Sequence, residues 1–226
     1  MTQKLISKKP KCIDLFSGCG GFTLGMAQAG FDVVGHVELD NGALKTYEFN
    51  KNSHGFGNSE LIGHDITKIT DEEILAFKRK HNEIPVICGS PPCQGFSLAG
   101  QRKIGDERDN LFLQYVRFVK LIEPKIFIAE NVPGILSKKN VHGEIMIDVI
   151  IEVFKEIGYH AKYALCNASN YGVPQRRRRI IIIGSKDESL IRFPLITNYG
   201  DKEGCEDVAG DRHKRDYKKC MSCKKY

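Results

Sequence analysis

The feature that most constrains this chain is a regular alternation of short apolar runs with amphipathic stretches. Apolar runs fall at residues 12–16, 31–38, 62–66, 85–89, 125–130, 159–166 and 180–184. Stretches with helical spacing fall between them at 22–29, 41–50, 72–81, 111–122 and 144–157. Strands alternating with helices at this spacing predict an α/β fold, a mostly parallel sheet with helices on both faces. After Ser185 the periodicity fades, and from Asn198 onward Gly, Asp and Lys dominate. The expected organisation is one principal domain over residues 1–194, followed by a polar basic tail over 195–226.

Charge says less than it first promises. The formal net charge is +6, but residues 212–226 hold seven basic residues against Asp216 alone, so that stretch carries the whole excess. The rest of the chain is formally neutral, and only a local cluster such as Arg176-Arg177-Arg178-Arg179 can argue for a nucleic acid. No apolar run approaches membrane-spanning length, and the polar start lacks the hydrophobic segment of a secretory signal, so the expected location is cytoplasmic. Eight cysteines do not form a secreted framework: Cys12 and Cys88 lie in strand-like runs, and they and Cys166 read as buried structural thiols.

In an open parallel sheet, ligands bind beyond the carboxyl ends of the strands. After the first strand, Gly18, Gly20 and Gly21 let the backbone approach a ligand, and Phe16 offers a ring to pack on a flat base. After the second, Glu38 is placed to accept hydrogen bonds from a ribose diol; after the third, Asp65 is placed to accept from an exocyclic amine. A tight turn with no ligand would also explain the glycines alone. The carboxylates favour a nucleoside cofactor, and the absence of G-x-G-x-x-G argues against NAD.

The most informative segment is Gly89-Ser90-Pro91-Pro92-Cys93-Gln94-Gly95-Phe96-Ser97, directly after a buried run. Two prolines stiffen the approach to Cys93 and should present its thiol at the ligand edge, as a nucleophile requires. The next strand ends in Glu130-Asn131-Val132, so that thiol and carboxyl could clamp one ring. Arg177 and Arg179 alternate along the last strand and therefore share a face, either at the ligand edge or on a solvated surface.

In this order, the segments resemble the DNA (cytosine-5)-methyltransferase family. Asp14 to Phe22 looks like its first motif, 89–97 its Pro-Cys motif, Asn110-Leu111-Phe112 its fifth, Glu130-Asn131-Val132 its glutamate motif and 175–184 its eighth. The resemblance implies a Rossmann-like S-adenosylmethionine-dependent methyltransferase fold. It assigns cofactor binding to Phe16, Ser17, Gly18, Gly20, Gly21, Glu38, Leu39, Asp65, Ile66, Pro91, Asn110 and Leu111. Gln94, Ser97, Asn131 and Val132 fall to the substrate, and no metal is implied. Cys93 would attack C6 of a cytosine flipped out of double-stranded DNA, Glu130 would hold and protonate N3, and Arg177 and Arg179 would orient the base. Residues 94–108 read as a lid over the flipped base.

Members usually continue into a target-recognition region and two further motifs, none of which is recognisable after Ser185. The expectation is a catalytic subunit or fragment whose recognition region comes from a second polypeptide, or a truncated product. A third reading makes Cys205, His213, Cys220 and Cys223 a zinc-binding tail. The rival activities are tRNA cytosine methylation on the same motifs, and a catalytically silent subunit that binds cofactor or a partner.

Overall fold

The computed structural model describes residues 9–54, 59–92, 111–140 and 143–197. Its elements are β1 (Lys11–Leu15), α1 (Gly21–Gln28), β2 (Asp32–Val37), α2 (Asn41–His54), β3 (Glu60–Gly63), α3 (Asp71–His81) and β4 (Val86–Gly89). They continue with α4 (Leu111–Ile122), β5 (Ile126–Asn131), α5 (Met146–Glu156), β6 (His160–Asn167) and β7 (Arg178–Ser185). The strands form one mixed, mostly parallel α/β sheet in the order β3-β2-β1-β4-β5-β7-β6.

The described chain comprises two compact units, one ending at Ala129 and the other beginning at Glu130. In the first, β1 pairs in parallel with both β2 and β4, β2 with β3, and β4 with β5. Burial follows that order. β4 is buried at every position and β1 and β2 at all but their first residues, whereas the edge strand β3 has no buried residue. Unbroken burial in a strand means that both of its faces are covered, which is the mark of a parallel α/β sheet. Beneath α1, Met26 packs on Cys12, Val33, Val86 and Cys88. From α4, the buried Tyr115 hydroxyl donates to the carbonyls of Ile87 and Ile128.

In the second unit, β6 and β7 pair antiparallel along their full length, from His160 opposite Ser185 to Asn167 opposite Arg178. Short 3-10 turns at Pro133–Leu136 and Ala168–Tyr171 follow β5 and β6. α5 buries Met146, Ile147, Val149, Ile150, Val153 and Phe154, spacing that matches one apolar helical face.

Two of the boundaries that differ from the sequence expectation bear on the candidate site. The third strand lies at Glu60–Gly63, two residues before the expected run, and Asp65-Ile66 belong to the loop after it. Ile62 and Gly63 belong to β3, with Gly63 opposite Val37, whereas Ile66 is apolar because, like Ile69, it is buried under the loop and not because it pairs. β7 begins at Arg178, so the arginine run enters the ladder two residues earlier than apolar character alone indicates. Of the cysteines expected to be buried, Cys12 and Cys88 are fully so, while Cys166 is only partly covered, with the Tyr171 hydroxyl donating to its sulfur.

At Gly89 the backbones of β4 and β1 meet so closely that a Cβ would stand 2.2 Å from the Leu15 carbonyl oxygen. Neither strand can yield without breaking the ladder. Gly89→Ala is expected to destabilise the protein by about 2 kcal/mol or more, lowering the melting temperature by about 4–8 °C in calorimetry. An unchanged melting temperature would show that the strands have slack at this point.

Candidate active site

The turn after β1 is built by main-chain hydrogen bonds. Ser17 N–H extends the ladder by donating to the Val37 carbonyl, Gly20 N–H closes the turn onto Ser17, and Leu24 N–H donates to Gly20 to start α1. Phe16 has φ 61° and Gly18 φ 54°. For Phe16 this is a left-handed conformation that L side chains rarely adopt, held because the turn on either side is fixed. A Cβ placed on Gly18 or Gly21 would meet no protein atom within 4 Å. Crowding by the protein therefore does not explain glycine at Gly21. Open space above a helix start whose N-cap, Gly20, supplies no side-chain cap fits a ligand approaching the backbone.

Glu38, just past β2, braces that turn. One carboxylate oxygen accepts from Gly18 N–H at 2.8 Å and the other from Asp40 N–H at 2.8 Å. Each oxygen retains a lone pair, and the side chain is partly exposed, so hydroxyl donors can still reach it. Leu39 beside it is 65% exposed, a large apolar side chain left uncovered at a strand end.

After β3, Asp65 folds its loop inward. Its Oδ1 accepts from both the N–H and the hydroxyl of Thr67, at 3.0 and 2.7 Å, and these bonds hold its pKa below the usual carboxylate value. Oδ2 faces the exposed Lys68 ammonium at 3.8 Å. Leu39 and Asp65, with Lys68, Ile69 and Glu73, line a cavity of about 590 Å³. Glu38 lies outside its lining, and Ile66 is buried beneath the loop. A glycine turn, a braced carboxylate, an exposed apolar side chain and a second carboxylate follow successive strands, groups of the kinds a nucleoside engages.

Beneath the turn runs a buried polar chain that sequence reading missed. Thr23 on α1 donates its hydroxyl to Asp14 Oδ2 at 2.7 Å and lies 3.1 Å from the Tyr47 hydroxyl. Tyr47 donates to Ser59 at 3.0 Å, Ser59 lies 2.9 Å from His36 Nδ1, and the His36 and Tyr47 rings stack at 4.0 Å. All five side chains are fully buried. The available signal was polar residues inside otherwise apolar runs, Asp14 in β1 and His36 in β2. Burial drives their ionisation apart: desolvation raises Asp14 to about 7 and lowers His36 to about 4.

In the second unit, Glu130 is the last residue but one of β5, and two arginines face its carboxylate, Arg179 in β7 and Arg177 just before it. Arg179 Nε lies 2.8 Å from Oε1, and Arg177 Nη2 lies 3.8 Å from the same oxygen. The two arginines thus share one face; Arg177 and Arg178 are exposed, and Arg179 is partly covered. Arg177 N–H also donates to the Asn167 side chain, fixing the entry to β7. Asn131 is buried, and Val132 is exposed just before the Pro133–Leu136 turn.

Pro91, buried, and Pro92, exposed, follow β4, and Ser90 N–H still donates to Leu15. Leu111 begins α4. Cys93, Gln94, Ser97 and Asn110 lie outside the described residues, as do the lid at 94–108 and the tail residues Cys205, His213, Cys220 and Cys223. No helix among the described residues is long and apolar enough to cross a membrane.

Two substitutions test this geometry. Glu38→Ala removes the brace and the acceptor together and is expected to raise the Kd for S-adenosylmethionine about tenfold or more by calorimetry. Asp14→Asn should change the pH dependence of stability. Between the ordinary carboxylate range and about 7 the folded protein keeps a proton that the unfolded chain has lost, so Asp14 makes stability fall as pH rises. His36 acts oppositely, since below about 6.5 the unfolded chain takes up a proton that folded His36 refuses until about 4. In urea unfolding from pH 5 to 8, the stability of Asp14→Asn relative to wild type should rise with pH; a constant difference would contradict the assignment.

Comparison with known proteins places the chain in a family. The profile of the C-5 cytosine-specific DNA methylase family matches residues 10–219. Type II methyltransferase M.DdeI of Desulfomicrobium norvegicum is 41% identical over 185 residues, covering 82% of this chain and 43% of that protein. Type II methyltransferase M.AquIA of Picosynechococcus is 39% identical over 195 residues, covering 83% of this chain and 77% of that protein. A prophage-encoded E. coli protein described as a DNA modification methyltransferase superposes with a TM-score of 0.63 at 32% identity, covering 82% of this chain and 49% of that one. The DNMT2 structure from Spodoptera frugiperda gives 0.60 at 25% identity, covering 82% of this chain and 52% of that one. The chain spans about half the length of several curated relatives it matches. It belongs to the C-5 cytosine-specific DNA methylase family.

Proposed function

We propose that this chain methylates C5 of cytosine in double-stranded DNA, with Cys93 as nucleophile and Glu130 as the acid that holds the ring. The observation that carries this reading is the Glu130 carboxylate, fixed through one oxygen by Arg179 at 2.8 Å, within a chain whose β1 turn fits a nucleoside. S-adenosylmethionine, when bound, supplies the methyl group and its sulfonium leaving group.

The remaining work falls to the chain. Glu38 holds the ribose diol, Gly18, Gly20 and Gly21 admit the backbone-hugging part of the donor, and Leu39 packs on the adenine. Phe16, Ser17, Ile66, Pro91, Asn110 and Leu111 complete the cofactor side. Cys93, presented by the rigid Pro91-Pro92 pair, adds its thiolate to C6 of a cytosine turned out of the helix. Glu130 delivers a proton to N3 as electron density moves onto the ring, which makes C5 nucleophilic toward the methyl group. Loss of the C5 proton then restores the double bond and expels Cys93. Arg179 keeps Glu130 pointed at the ring edge, Arg177 is placed for a phosphate or base edge, and Gln94, Ser97, Asn131 and Val132 surround the base.

With labelled S-adenosylmethionine, label should enter duplex DNA and not tRNA. Cys93→Ser is expected to lose turnover yet retain cofactor affinity, because a hydroxyl is scarcely ionised near neutral pH. Glu130→Gln should lower the rate by about a hundredfold or more, in line with the loss of a general acid. A duplex containing 5-fluorocytosine should be trapped covalently only with Cys93 intact. Label transfer to tRNA alone, or trapping by Cys93→Ser, would end the proposal.

A further inference from the structure

Arg117, in the middle of α4, reaches the loop between β3 and α3. Its Nη2 donates to the carbonyls of Ile66 at 3.1 Å and Ile69 at 2.6 Å, and its Nη1 lies 3.4 Å from the Asp71 carboxylate. The side chain is 18% exposed, so these contacts are made largely out of water. The Ile66 and Ile69 carbonyls belong to a loop with no ladder to receive them, and buried carbonyls require a donor. One planar cation with five donors can bridge two carbonyls and a carboxylate at once, which a lysine ammonium on a narrower stem cannot reproduce.

The same loop is fastened from within by Thr67 donating twice to Asp65 Oδ1. Asp65 therefore sits in a loop held on one side by its own turn and on the other by a helix about fifty residues further along. We propose that Arg117 is a positioning residue for the adenine of the cofactor. It fixes the loop so that Asp65 Oδ2 and the neighbouring apolar side chains meet the base in register. This rests on the cofactor assignment made above for Asp65. Arg117 touches no reacting atom.

A second tie keeps the effect local. Lys78 on α3 donates to the Leu121 carbonyl at 3.0 Å and to Glu123 at 3.1 Å, so α3 stays attached to α4 when Arg117 is replaced. Loss of the guanidinium frees the loop, not the helix.

The test uses the full chain and two probes, S-adenosylhomocysteine and its inosine analogue, in which oxygen replaces the 6-amine. Calorimetry on the wild type should show a preference for the adenine compound. Arg117→Gln is expected to raise the Kd for S-adenosylhomocysteine about tenfold and to cut the preference about fivefold, with Arg117→Lys intermediate. A merely structural role would weaken both compounds alike and leave the preference at its wild-type value, which overturns the inference. If Arg117→Gln does not fold, Arg117→Lys decides by the same ratio. Asp65→Ala is the reference: it should abolish the preference. A preference that survives Asp65→Ala removes the adenine assignment and the inference with it; one lost in Asp65→Ala but intact in both Arg117 variants overturns the role of Arg117 alone.

Discussion

The Glu38 carboxylate joins two backbone segments that the strand ladders leave unconnected, the glycine turn after β1 and the start of α2. Each of its oxygens accepts a main-chain N–H, from Gly18 and from Asp40. A carboxylate acceptor makes these bonds stronger than neutral ones, and it stabilises a turn containing three residues with positive φ, Phe16, Gly18 and Gly20. The same carboxylate keeps lone pairs free of the brace. On the proposed function, structural brace and ligand acceptor are one group, so the turn is set before the cofactor arrives and little ordering is left to oppose binding.

Beneath the brace, the chain of Asp14, Thr23, Tyr47, Ser59 and His36 links β1, α1, β2 and α2 to Ser59 at the edge of β3. A buried polar chain of this kind costs desolvation unless its members find partners, and here hydroxyls supply most of them. Within this group, Asp14 Oδ1 and His36 Nε2 find no hydrogen-bond partner among the described residues. Burial displaces the protonation of both groups, so the neutral form of each is favoured inside the fold.

Much of this was legible in the sequence. The alternation of apolar runs and helical spacing gives the α/β class, because strand and helix periods are local properties of the chain. Gly18, Glu38 and Asp65 could be read because a parallel sheet presents its strand ends together. The pairing of Arg177 and Arg179 follows from two-residue alternation and is seen in their common contact with Glu130. What escaped was long-range. Nothing local to Arg117 points to the carbonyls of Ile66 and Ile69, and nothing local to Tyr47 points to Ser59 and Thr23. The misplaced third strand has a related cause: Ile66 is apolar because it is buried by a loop, and apolarity alone does not distinguish a loop anchor from a ladder residue.

The two arginines on Glu130 are not equivalent, although the sequence treats them alike. Arg179 is 26% exposed and in hydrogen-bond contact, so its pairing is only partly screened. Arg177 is half exposed at 3.8 Å from the same oxygen, a separation and exposure at which an ion pair contributes little. On the proposed function this divides the labour. Arg179 sets the direction of the carboxylate, whereas Arg177 keeps most of its donors for a group that arrives from solvent. A phosphate or base edge brings the fixed planar acceptors such a guanidinium matches best, and it displaces only a weak pair in doing so.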